Sequence, residues 1–176
     1  LTHSNNLAVS CKTDKLHKNN IKVISVAAHD TGSAVLAVPA KSEKFIWLSS
    51  GTWSIMGTET KDPVISEKSK EYNFTNEGGY GGTIRFSKNI TGLWVLQESR
   101  RQWMREGTKY GFGELVEMGK AAKPLQSFIN PDDPRFGVPG NIPKKIREYC
   151  AETNHPIPET VGDIVRCISQ SLAMRY

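Results

Sequence analysis

His29 and Asp30 stand side by side at the end of an apolar run, in VAAHDTGSAV (residues 26–35), and small residues follow them at once. A carboxylate in that place can cap a helix, or it can hold a hydroxyl and take its proton during group transfer. Spacing alone favours the cap. A second grouping is Gly51-Thr52 in FIWLSSGTWSIM (45–56). There glycine lets the backbone come close, and turn amides with the Thr hydroxyl can donate to anionic oxygens; an ordinary hairpin turn is the equal alternative. Asn89 and Gln97 form a third, both inside NITGLWVLQESRRQWMREG (89–107). Glu77, in a glycine-rich stretch, can face a ligand or brace its own loop.

The elements that must position these residues follow from periodicity. Val23, Ile24, Val26 and Ala27 predict a short buried strand, and Thr31 to Ala34 an immediate helix that Pro39 ends. Asp30 then marks a strand-to-helix junction, with residues 1–20 a loosely ordered lead-in. Residues 45–56 read as two strands joined by a small-residue turn at 49–52, and 72–86 as a glycine-rich hairpin or loop. Residues 89–107 predict an amphipathic helix with Asn89 at its entrance. Leu93, Leu96, Trp103 and Met104 would share its inner face, Arg100, Arg101 and Arg105 would point outward, and Gly107 would end it. Residues 124–143 read as loop, with Asp132 and Asp133 as turn residues rather than a metal pair. Two helices follow, about 143–152 and 158–176, each with Pro near its first turn. Trp53, Trp94 and Trp103 are expected in the core, ahead of the alternative that they stack on a ligand ring.

Composition limits the function classes. The chain has 176 residues, 38% of them hydrophobic, as expected of a globular α/β protein. The longest apolar stretches fall far short of the roughly 18–20 residues a bilayer demands, and residues 1–20 lack the apolar segment of a signal peptide. The expectation is a cytoplasmic protein with no membrane partner. A net charge of +5 is compatible with nucleic acid, but Lys and Arg are scattered from Lys12 to Arg175, which reads as a solvated basic surface. Three cysteines form no framework and no zinc pattern. Cys150 and Cys167 are close enough to meet across a helical pair, a disulfide being the less favoured outcome, and Cys11 is a bystander. The chain opens on Leu1 and closes inside a helical pattern, as a piece of a longer protein would.

Four segments together carry a resemblance: HDTGSAV (29–35), LSSGTWSIMG (48–57), TNEGG (75–79) and KNITGLWVLQ (88–97). In this order and separation they resemble the central motifs of rhamnulokinases, within the FGGY family of carbohydrate kinases and the actin-like ATPase superfamily. The resemblance covers about residues 21–176. It implies an α/β, ribonuclease-H-like fold present in part. Residues 1–40 would be a lead-in and the end of the N-terminal domain, and 41–176 the opening part of the C-terminal domain.

The activity it implies is ATP-dependent phosphorylation of L-rhamnulose at its 1-hydroxyl, with Mg2+ accompanying the ATP. Another sugar kinase of the family, of fuculokinase or xylulokinase type, and a non-catalytic actin-like binding domain are the alternatives. By the resemblance Asp30 is the general base, set where a helix N-terminus favours the ionised form. His29, Asp30, Thr31 and Asn89 would contact the sugar, and Gly51, Thr52 and Gln97 the nucleotide. No metal ligand is implied among the residues. The family's upstream phosphate loop and downstream adenine loop are not in the sequence. By itself the chain is therefore expected to bind ATP no more tightly than about millimolar and to phosphorylate no sugar.

Overall fold

The computed structural model describes residues 30–42 and 44–176. His29, Cys11 and the strand expected over residues 23–27 lie outside the described residues. The first element among the described residues is helix α1 (Asp30–Leu36), as the small residues after Asp30 predict. Strands β1 (Trp47–Ser50) and β2 (Trp53–Thr60) follow, joined at Gly51-Thr52, and then the short helix α2 (Glu67–Glu71). Strands β3 (Phe74–Gly78) and β4 (Ile84–Thr91) form the glycine-rich hairpin, whose turn needs the left-handed backbone of Gly81 (φ 67°) and Gly82 (φ 84°). All pairings are antiparallel, in the order β1-β2-β4-β3.

Alternation gives this sheet two different faces. Ser54, Met56, Phe86 and Ile90 share one, with Phe74 stacked on Phe86 at 4.6 Å between ring centres. Trp53, Ile55, Asn89 and Thr91 share the other, since Trp53 pairs with Thr91 and Ile55 with Asn89.

The rest of the chain is helical: α3 (Trp94–Arg105), α4 (Phe112–Ala121), α5 (Pro134–Gly137), α6 (Ile142–Glu152) and α7 (Val161–Arg175). Val95, Leu115, Phe136, Ile142, Ile146 and Ile164 are completely buried between them. Helices α4 and α7 touch closely because Gly119 has no side chain: a Cβ there would lie 2.8 Å from Val165 Cγ1. Helix α7 starts on a capping box in which the Thr160 hydroxyl accepts from the Asp163 amide and the Asp163 carboxylate accepts from the Thr160 amide.

Two contacts tie α7 to the sheet. The Tyr176 and Ser54 hydroxyls are 2.7 Å apart, and Asp132 accepts from both the Thr91 amide (2.9 Å) and Arg175 Nε (2.7 Å). Burial works to raise the Asp132 carboxyl, but the Thr91 amide and the Arg175 guanidinium outweigh it and hold the group below the ordinary carboxylate range. Asp133 caps α5 by accepting from the Arg135 amide. Both aspartates are therefore used structurally, as their turn-rich surroundings suggest.

Several expectations need correction. The helix read over residues 89–107 begins only at Trp94, and Asn89, Ile90 and Thr91 belong to β4. The β-branched Ile90 and Thr91 complete the ladder with Ser54 and Trp53, so cross-strand pairing overrides the helical period. Of the four residues expected on its inner face, Leu96 and Trp103 are buried, with Val95 and Ser99 beside them, whereas Leu93 is 36% and Met104 53% exposed. Trp53, expected in the core, is 55% exposed. Cys150 and Cys167 are buried free thiols on α6 and α7, the outcome favoured over a disulfide; the facing Cys150 thiol and burial both push the Cys167 thiol up.

Candidate functional site

The Gly51-Thr52 turn is held by the start of α3. The Leu93 amide donates to the Gly51 carbonyl (2.8 Å) and the Trp94 amide to the Thr52 carbonyl (3.0 Å), so the entry amides of the helix find acceptors in the turn. Gly92 makes this docking sterically feasible. A Cβ at residue 92 would lie 2.5 Å from the Gly51 oxygen and 2.7 Å from Ser54 Oγ. Sequence order alone put Gly51 and Asn89–Gln97 in separate elements; close backbone approach at Gly92 joins them.

One turn into α3, Gln97 Nε2 donates to Thr52 Oγ1 at 3.0 Å. Both side chains are half-buried. The two residues stand 45 apart in sequence, and the resemblance alone paired them. Gln97 also lines a cavity of about 540 Å³ whose walls include Leu93, Leu96, Phe112, Val116 and Val165. Lys120 and Arg166 line it too, and the buried Arg166 Nε has no hydrogen-bond partner among the described residues. An apolar slot with two cationic groups and the Gln97 amide in its wall suits a flat heteroaromatic group bearing an anionic chain.

Asn89 stands one strand away from the turn, exposed on β4 opposite Ile55. It does not share a helix face with Gln97, because its place is in the sheet. Asp30 and Thr31 open α1 and are linked by the Thr31 amide donating to Asp30 Oδ1 at 2.7 Å. Glu77 accepts from Arg85 Nη2 at 3.1 Å, and Arg85 is 5% exposed, which makes Glu77 a brace of the β3–β4 hairpin. On the opposite sheet face, burial and the neighbouring Arg175 lower the Lys88 ammonium below its ordinary range.

Two contributors to this region escape the sequence reading. Helix α4 is absent from it, although Phe112, Leu115 and Val116 repeat at helical spacing and place Phe112 and Val116 in the cavity wall. Trp53 is the other: it follows Thr52 directly and stacks on Trp94 with ring centres 6.3 Å apart and planes 8° from parallel.

Residues 47–176 match the C-terminal domain of the FGGY family of carbohydrate kinases. The chain is 53% identical over 156 residues to a protein named Rhamnulokinase from Bacteroides thetaiotaomicron, covering 89% of this chain and 31% of that relative. It is 46% identical over 155 residues to one of the same name from Bacillus subtilis (88% and 31%), and 46% over 157 residues to another from Halalkalibacterium halodurans (89% and 32%). The chain thus spans about a third of the length of these relatives. The sheet carrying the Gly51-Thr52 turn, the helix that clamps it and the four helices behind them all fall within the matched residues, and the chain belongs to the FGGY family of carbohydrate kinases.

Proposed function

We propose that the protein containing this chain is an ATP-dependent sugar kinase that phosphorylates L-rhamnulose at its 1-hydroxyl. The observation that carries the reading is the contact between Thr52 and Gln97, beside the apolar cavity that Gln97 lines. Both positions belong to the nucleotide side by family resemblance, and the relatives over this region are named rhamnulokinases. Residues 1–40 are read as the end of the first domain and 41–176 as the opening part of the second, in an actin-like, ribonuclease-H-like arrangement.

In this reading Gly51 and Thr52 hold nucleotide phosphates, Gln97 fixes the Thr52 hydroxyl, and the cavity between α3, α4 and α7 lies alongside the nucleotide. Lys120 and Arg166 supply positive charge in its wall. His29, Thr31 and Asn89 orient the sugar. The Asp30 carboxylate accepts the proton of the attacking hydroxyl as that oxygen bonds to the γ-phosphorus and the bond from phosphorus to the β–γ bridging oxygen breaks, releasing ADP. ATP enters as its magnesium complex, in which the ion neutralises phosphate charge. Among the described residues no group of three or more His, Cys, Asp or Glu side chains is arranged to hold a metal, and none is assigned that role. Among the described residues no helix is long and apolar enough to cross a membrane, which suits the cytoplasmic, small-molecule role proposed.

The test is a coupled ADP-release assay on the full-length protein with L-rhamnulose, xylulose and fuculose. L-rhamnulose is expected to give the highest kcat/KM; parity with the other sugars would end the substrate assignment. Asp30→Asn is expected to lower turnover by roughly 10²–10⁴-fold while calorimetry shows ATP binding nearly intact. Undiminished turnover in that variant would remove Asp30 from the chemistry.

A further inference from the structure

The side chain next to the Gly51-Thr52 turn is an exposed aromatic stacked on a second indole. Trp53 is 55% exposed, although it opens a strand in the middle of the sheet and lies beside buried Ser54. Its orientation is nevertheless fixed. One indole face lies nearly parallel on Trp94, whose own N–H donates to the Phe136 carbonyl at 3.0 Å. Arg101 covers Trp94 at 5.4 Å and is tethered by an ion pair to Glu98, itself 3% exposed. The stack is thus anchored into the helical core and ends outward on Trp53. A large apolar surface held rigid and left uncovered on the described chain is how a binding face is built, because little conformational entropy remains to be lost on contact.

Position defines what this surface meets. Trp53 pairs with Thr91 across the ladder, and Asn89 lies on the same face one pair further along, opposite Ile55. On one sheet face, a side chain and its diagonal neighbour are about 7–8 Å apart, a span one sugar ring can bridge. The face therefore offers an aromatic plane, the aliphatic Ile55 and the exposed Asn89 amide. A 6-deoxy ketose has the same division: hydroxyls on one part, and C–H groups with a terminal methyl on another.

We infer that Trp53 is a sugar-binding and specificity-determining residue, its outward indole face receiving the C–H face and deoxy methyl of the ketose whose hydroxyls Asn89 engages. The inference rests on the kinase reading above. It places the preference for a deoxy sugar at Trp53 and Ile55, where a 6-hydroxyl would be driven against apolar surface with no partner to satisfy it.

Steady-state kinetics of the full-length protein with L-rhamnulose and its 6-hydroxy counterpart L-fructose test this, comparing the wild type with Trp53→Phe and Trp53→Leu. Trp53→Leu is expected to raise the KM for L-rhamnulose by about tenfold or more, leave the KM for ATP unchanged and narrow the preference for L-rhamnulose over L-fructose. Trp53→Phe, which keeps an aromatic plane, should recover much of the loss. Sugar binding should quench tryptophan fluorescence in the wild type and far less in Trp53→Phe. An unchanged sugar KM in both variants, a rise in ATP KM equal to that for sugar, or a lowered melting temperature with normal sugar kinetics would overturn the inference while leaving the kinase reading standing. A wild-type protein that phosphorylates no ketose would overturn both.

Discussion

The wholly buried large side chains of the helical layer are Phe136, Leu115, Ile142, Ile146, Ile164 and Ile168, whereas those of the sheet are the hydroxyls of Ser54 and Ser87. The same sheet exposes Trp53 (55%) and Leu48 (43%). Helices α3, α4, α6 and α7 bury most of their apolar stripes against one another, though Phe112 and Val116 of α4 stay half exposed at the cavity. The sheet buries Trp47 and Ile90 beside its serine hydroxyls and displays Trp53 and Asn89. The Gly51-Thr52 turn belongs to the sheet but is fixed by the helical layer. A turn supported in this way can be small and polar without being loose.

The largest contrast should come from truncating one side chain in each layer. Phe136→Ala removes a completely buried ring and is expected to cost about 3–5 kcal/mol, while Leu48→Ala should stay within about 0.5 kcal/mol. Urea unfolding followed by circular dichroism measures both. Equal costs would mean that the sheet contributes as much apolar packing as the helices.

The seam between the layers can be stressed at Gly92. A Cβ there meets the Gly51 oxygen and Ser54 within 3 Å, mostly backbone that cannot swing aside. Gly92→Ala is expected to destabilise by about 1–3 kcal/mol and to weaken ATP binding by the full-length protein more than sugar binding, since the displaced turn carries Thr52. Calorimetric titration of each ligand separates the two effects. Equal weakening would show that the turn does not serve the nucleotide alone.

The smallest effect sharpens the same boundary through pH. Asp132 lies between the Thr91 amide of the sheet and Arg175 of α7, and its carboxyl is held below its ordinary range. A depressed carboxyl contributes stability above its unfolded value, near pH 4, and that contribution is lost as pH falls through the folded-state value. Asp132→Asn should therefore lower the melting temperature at pH 7, and the gap to wild type should shrink towards pH 3. A gap that is constant with pH would assign the loss to geometry rather than charge.

Much of this chain was legible before folding. The β1–β2 pair, the glycine-rich hairpin, α6 and α7 follow from local period and turn residues, because each is stabilised by neighbours close in sequence. The motifs around Asp30, Thr52, Asn89 and Gln97 were legible as resemblance. The fold joins Thr52 and Gln97 by a hydrogen bond between their side chains.

The sequence by itself determined which residue types flank the turn and where the apolar stripes run. It did not decide that Asn89 is a strand residue, since the ladder with Ile55 competes with a helical period of equal local strength and wins through contacts more than thirty residues away. Nor did it decide that Trp53 faces outward. Hydrophobicity predicts burial for any tryptophan, and the face it presents is fixed only when β2 pairs with β4 and Trp94 is pinned to Phe136. Local chemistry reads from neighbours along the chain; orientation at this site comes from partners across it.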